Sequence, residues 1–276
     1  MSSPLDRVDT STAHSARVYD YILGGKDHYL VDIEAGDAMC RHWPSLPVHM
    51  RENRLFMHRA GRFLAREKGI RQFLDVGTGL PTAPNLHEVV QEVAPESHVV
   101  YVDNDPIVLA HARALLQSSP EGATAYVDAD MHDPDAILDS PEMRALIDLD
   151  QPVGLMVIGM LHFILPPADG QLVRRLLDPL PSGSYLAMTI GTADFAPEEV
   201  GRVAEEYARQ NMPMVLRDLP TTTSFFDGLD LVEPGQVGGG GVLHHHLAVT
   251  PRHVAPGRPA GGEGAELLDR EPPLHQ

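Results

Sequence analysis

From Arg71 to Gly191 the sequence alternates apolar runs of strand length with segments of helical spacing, and this alternation limits the possible folds more than any other feature. The runs "RQFLDVG", "HVVYVD", "TAYVDA", "PVGLMVIG" and "SYLAMTIG" are nearly continuous in apolar residues, as strands are when both faces of a sheet are covered. Helical periodicity marks "NLHEVVQEVA", "PIVLAHARALLQ" and "ADGQLVRRLLDPL" between them, and "PEEVGRVAEEYARQ" after the last. Such a succession predicts an α/β fold with a parallel sheet and helices on both faces. Two further strand-like segments, "LDLVEPG" and "VLHHHLAVT", have no helix between them, so they are expected to pair antiparallel.

Upstream of Arg71 the spacing is helical throughout. Val18, Tyr21 and Ile22 fall on one helix face before a Gly24-Gly25 stop, a second helix is expected over "DIEAGDAMCRHW", and a third from Pro47 to the Gly69 stop. The organisation read from these patterns is a helical cap or lid over 1–70, an α/β domain over 71–250 and a tail over 251–276. That tail is rich in Pro and Gly and has no aromatic residue, so it is expected to be flexible.

Composition removes several functions. A formal net charge of -18, with no basic block, repels phosphate backbones, so no nucleic-acid partner is expected. Cys40 is the only cysteine, which excludes an intrachain disulfide or a metal site built on thiolates and fits a reducing, cytoplasmic setting. The longest apolar run, "VGLMVIGMLHFIL", falls short of the ~20 residues that span a bilayer, and the N-terminus lacks a secretory apolar region, so no membrane association is expected. His244, His245 and His246 are successive residues of an expected strand and point to alternate faces; no metal site is expected there.

The chemistry-bearing residues sit where the expected strands end. In "LDVGTGLP" Gly77 and Gly79 permit positive φ and, lacking Cβ, let a ligand lie against the backbone. A dinucleotide loop needs a third glycine where Thr82 stands, and Asp75 would repel a pyrophosphate while favouring a cationic ligand such as S-adenosylmethionine. Asp103, ending the second strand in "YVDNDP", is placed to accept both hydroxyls of a ribose, while Asp105 suits the cap of the helix opening at Pro106. At the third strand end, Asp130, or alternatively Asp128, can accept the adenine amine while the Met131 N–H meets a ring nitrogen.

"FLDVGTGLP", "YVDNDP", "DAD", "VIGMLHFI" and "FFDGLDLVEPG" resemble the successive motifs of class I S-adenosylmethionine-dependent methyltransferases. "ARVYDYILGGKDHY", "GTGLPTAPNLHEV" and "VYVDNDPIVLAHARALL" resemble more particularly a bacterial family of S-adenosyl methyltransferases known as a domain of unknown function, over roughly residues 12 to 250. The resemblance implies a Rossmann-like, seven-stranded sheet ending in an antiparallel hairpin, and S-adenosylmethionine as cofactor. It implies contacts from Gly77, Thr78 and Gly79 to the methionine moiety, from Asp103 to ribose, and from Asp130 with Met131 to adenine; Pro81 departs from the wider class, where a third glycine is frequent. Asp75, Asn104 and Gly159 complete the candidate cofactor set on the strand ends.

Methyl transfer to a small-molecule acceptor is the expected activity, with His162 at the fourth strand end as candidate general base. Gly25 and Lys26 are candidates for the cofactor's carboxylate, and Tyr19, Tyr21 and Tyr29 for cation-π contact with its sulfonium. A non-catalytic cofactor sensor and an NAD-dependent oxidoreductase are the alternatives, the second disfavoured by Thr82.

Overall fold

The computed structural model describes residues 9–115, 117–239 and 243–249. Helices α1 (Ser15–Ile22), α2 (Leu30–His42) and α3 (Leu46–Glu67) precede the first strand. Five parallel strands, β1 (Gln72–Val76), β2 (His98–Asp103), β3 (Ala123–Asp128), β4 (Gly154–Ile158) and β5 (Tyr185–Gly191), stand in the order β3-β2-β1-β4-β5. β1 pairs with both β2 and β4, so the chain order reverses there and leaves a crevice beyond the carboxyl ends of these strands. Past β5, β7 (Leu243–Val249) runs antiparallel to it, and β6 (Asp230–Gly239) antiparallel to β7. The tail over 251–276 and the side chains of His244, His245 and His246 lie outside the described residues.

The connections are α4 (Leu86–Val93), α5 (Pro106–Leu115), α6 (Pro134–Leu138), α7 (Pro141–Leu146), α8 (Ala168–Leu177), α9 (Pro197–Arg209) and α10 (Leu219–Ser224). Periodicity assigns no helix between β3 and β4, yet α6 and α7 form there. Each is opened by a proline that needs no N–H partner in a first turn, and capped by Asp133 accepting from Ala136 N (3.1 Å) or Ser140 accepting from Met143 N (3.1 Å). Caps rather than an apolar stripe hold such short helices.

All five residues of β1 are buried, because successive side chains enter opposite cores. Leu74, Val76, Val100 and Leu155 meet α7 and α8 on one face; Phe73, Val99, Tyr101 and Met156 meet α3 and α4 on the other. Each such side chain contributes about 1.5–3 kcal/mol when fully buried. The end of α3 is part of this second core through Ala60, Phe63 and Leu64, so the expected boundary at residue 70 does not separate two cores. The beginning of α3 joins a different cluster, where Leu46 and Met50 pack with Val18, Met39 and Trp43 and with Val203 and Tyr207 of α9.

Buried charge fixes the N-terminal helices. Asp32 is fully buried and accepts from His14 N (2.9 Å) and Tyr29 N (2.8 Å), with the Arg17 guanidinium 3.7 Å away. Asp20 accepts from Asp27 N (2.9 Å) and contacts His28 Nδ1 (2.9 Å), pinning the "GGKDH" turn. Among the described residues no helix is long and apolar enough to cross a membrane.

Removing a partner from a buried ion pair costs about 3–5 kcal/mol. Asp32→Ala is expected to lose stability in about that range, and Asp32→Asn, which keeps an acceptor oxygen, to lose less, both read from urea unfolding midpoints.

Candidate functional site

A cavity of about 330 Å³ opens over the carboxyl ends of β1, β2, β3 and β4 and is closed above by α1, α3 and α9. Its floor is the turn after β1. Gly77 and Gly79 have φ of +74° and +68°, and the turn is held to β2 by Gly77 N and Thr78 N donating to Val102 O at 2.9 and 3.2 Å. A Cβ on Gly77 would lie 2.3 Å from Met160 Cγ, whereas one on Gly79 would meet nothing within 4 Å. The first glycine is required by packing, and the second exposes backbone to open space. "PTAPN" then turns the chain into α4, with Asn85 accepting from Thr82 N (3.0 Å) and donating its own N–H to Glu88 (2.6 Å).

Three acids stand around this floor. Asp75 is buried, accepts from Thr78 Oγ1 (2.9 Å), and is pushed up to about 6 by desolvation, which the Thr78 bond and the Arg54 charge only partly offset. Asp103 is also buried and raised by desolvation; its two oxygens accept from Gly79 N and Asp105 N, each at 2.9 Å. A carboxylate oxygen has two lone pairs, so one on each remains for a ligand. Asp105 caps α5 by accepting from Ile107 N (2.9 Å), as the sequence suggests.

Asp130 lines the cavity beside the buried Met131. Burial works upward on its carboxyl, but bonds from His132 and from Asn104 Nδ2 (2.8 Å) hold it below the ordinary value. Asn104 lines the same wall, whereas the alternative acid, Asp128, is exposed and outside the lining. Gly159, with φ +69°, donates its N–H to Thr189 Oγ1 (2.7 Å), and Thr189 donates to Asn53 Oδ1 (2.6 Å). Asn53 Nδ2 in turn donates to Tyr19 Oη (3.2 Å), which donates to Met50 O (2.9 Å). This relay ties β4 and β5 to α3 and α1.

His162 lies in a 3₁₀ turn just after β4, buried and on the cavity wall. Desolvation, with repulsion from Arg217, brings its imidazole down to about 3, and Nδ1 accepts from Gly191 N (3.4 Å). It is neutral at physiological pH and a weak base, against the expectation from position alone. Gly25, Lys26, Tyr21 and Tyr29 are not among the cavity residues. Gly25 is needed because a Cβ would overlap the Asp20 carboxylate; the Tyr21 hydroxyl donates to Asp37 (2.6 Å), and Tyr29 lies under the Arg17 guanidinium at 5.5 Å. Only Tyr19 of the three tyrosines reaches the wall.

Two cavity residues escape sequence reasoning. Arg54 donates to Thr82 O and to Pro84 O (3.1 Å), is the cation of the lining, and keeps a buried Nε without a partner. His49 also has a buried, unpartnered Nδ1. Both sit on α3, about 20 residues or more before the glycine turn, where helical spacing gives them no mark. Among the described residues no group of three His, Cys, Asp or Glu is placed to hold a metal.

A family model described as S-adenosyl methyltransferase matches residues 1–242. A DUF574 family protein from Streptomyces avermitilis is 60% identical, with a TM-score of 0.87 over 89% of this chain and 100% of that one. A Thermobifida fusca protein, provisionally named a methyltransferase, is 37% identical with a TM-score of 0.82, covering 88% of this chain and 96% of its own. An O-methyltransferase family protein from Burkholderia thailandensis, 12% identical with a TM-score of 0.51 over 82% of this chain and 61% of its own, shares the fold. No curated protein matches.

The Asp75 carboxyl carries a stability signature. Its folded value, about 6, lies above the ~3.9 of an unfolded aspartate, so the folded state holds the proton more tightly. The associated stability is present below about pH 4 and is lost as pH rises through about 6, by roughly 3 kcal/mol. Asp75→Asn should show no such loss: near parental stability at pH 4 and a higher urea midpoint than the parent at pH 7.

Proposed function

Because the chain belongs to the S-adenosyl methyltransferase family and is an S-adenosylmethionine-dependent methyltransferase, we propose that the cavity over Gly77 and Gly79 holds the cofactor and delivers its methyl group to a small-molecule acceptor. The observation that carries this reading is the open backbone of Gly79 beside a buried carboxylate, Asp103, that retains acceptor capacity. In this reading Asp103 takes the ribose hydroxyls, and Asp130 with the Met131 N–H takes the adenine edge, Asn104 orienting Asp130. Gly77, Thr78, Gly79 and Gly159 give backbone contact to the methionine portion, and Asp75 supplies negative charge near its cationic centres. Arg54 takes the carboxylate role assigned from sequence to Gly25 and Lys26, since its guanidinium is on the wall and they are not.

The cofactor supplies a methyl group already activated by the sulfonium. The protein's task is then to align the acceptor and exclude water, which can lower the barrier by ~7–11 kcal/mol. α1 and α2 serve as the lid beside the fixed first half of α3, with α1 tied to the strand ends by the Tyr19–Asn53–Thr189 relay. His162, neutral and accepting from Gly191, acts in positioning rather than as the base. β6 and β7 are read as the terminal hairpin of a seven-stranded methyltransferase sheet, and the cytoplasm as the setting.

Calorimetric titration with S-adenosylhomocysteine tests the cofactor site; absence of binding ends this reading. Asp103→Asn should weaken binding by about 10- to 150-fold, since hydrogen bonds to charged groups contribute ~1.5–3 kcal/mol. Gly77→Val should abolish binding with the fold kept by circular dichroism, because any Cβ there meets Met160 and φ is positive.

A further inference from the structure

One side of the cavity wall is apolar, and this compartment is left unused by the cofactor roles proposed above. Trp43, Leu46 and Met50 form one side of it, Val203 and Tyr207 of α9 the other, and Phe163 closes the end nearest β4. These are the residues of the third apolar cluster, so this cluster is a pocket wall as well as a core. Aromatic rings make up much of this wall: Phe163 meets Tyr207 edge-on at 5.3 Å, and Trp43 stacks on His49 at 4.3 Å and 29°. Among the described residues no carboxylate belongs to this compartment, so an ammonium acceptor would find no counter-charge from them.

His49 brings a polar ring to this wall. Its Nδ1 is buried and has no hydrogen-bond partner, an arrangement that costs about 1–3 kcal/mol unless something else supplies the partner. Resting on the methyltransferase reading above, we propose that the compartment binds a planar aromatic acceptor carrying a hydroxyl, and that His49 is the base that receives the hydroxyl proton. In the transfer an oxygen lone pair forms the new O–CH₃ bond as the S–CH₃ bond breaks. The bond pair stays on sulfur, leaving the thioether S-adenosylhomocysteine, and the proton passes to the His49 imidazole and from there to water.

A hydroxyl on an aromatic ring fits for a chemical reason. It ionises near pH 10, within reach of an imidazole, whereas an aliphatic alcohol is far less acidic. Burial lowers the basicity of His49 and the charge of Glu52 on the same helix opposes this, so the ring is neutral and able to accept at physiological pH. His162, Tyr19 and Tyr207 line the same cavity; burial leaves the first neutral and keeps both phenols protonated.

The experiment uses 2-naphthol as probe on the intact chain. Titration of S-adenosylhomocysteine-loaded protein should show naphthol binding that naphthalene-sulfonate competitors, charged at the same position, do not reproduce. With labelled cofactor, label should appear in 2-methoxynaphthalene. His49→Asn should bind S-adenosylhomocysteine as the parent does and keep KM for naphthol within about threefold. Its kcat should fall about 100-fold or more at pH 7 and rise about tenfold per pH unit toward the naphthol's own ionisation, where the base is no longer needed. Cofactor-product binding without naphthol binding overturns this inference alone, as does His49→Asn turning over at the parental rate and pH profile; failure to bind the cofactor product overturns the methyltransferase site and this inference together.

Discussion

The Asp103 carboxylate is the interaction on which the site depends. One oxygen holds the N–H of Gly79 and the other the N–H of Asp105, so a single side chain at the end of β2 sets the path of the glycine turn after β1 and the start of α5. Desolvation makes such an acid reluctant to ionise, and the two backbone donors oppose that tendency. A ligand donating to the remaining lone pairs would favour the charged form further. The two oxygens that fix the turn are the ones a ligand at this wall would meet.

From Asp105 the charge network runs outward to the N-terminal helices. His14 Nδ1 lies 3.0 Å from Asp105, the Arg17 Nε 3.7 Å from the same oxygen, and Arg17 also faces Asp32. His14 Nδ1 also sits 3.3 Å from Ala16 N, so one ring nitrogen faces both the Asp105 carboxylate and a backbone N–H of α1. The position of α1 is in this way coupled to the start of α5 and the glycine turn through buried charges, beside the apolar contact of Ala16 with Leu80, Ile107 and Val108.

How much of this was legible depended on whether a residue's partners lie near it in sequence. The five parallel strands and the glycine turn are written in local patterns, since alternation of period and a G-x-G spacing need no knowledge of distant residues. The place of Asp103 and Asp130 on the cavity wall is legible because topology puts strand ends in one row. That of Arg54 and His49 is not, because a helix residue shows nothing of which cavity it will face until the helix is packed. Gly25 and Lys26, candidates for the cofactor's carboxylate by sequence, stand in a "GGKDH" turn whose reason is the buried Asp20 carboxylate five residues before Gly25. His162 follows the fourth strand end onto the wall, but its basicity depends on desolvation and on Arg217, which no spacing reveals.

α3 has 22 residues, a rod of about 33 Å, with one end fixed among Phe73, Val99 and Met156 and the other bearing Asn53, Arg54 and His49. Such a member cannot swing open without prying the sheet's own packing apart. Traffic of small molecules must pass around it, past the shorter α1 and α2 or along α9.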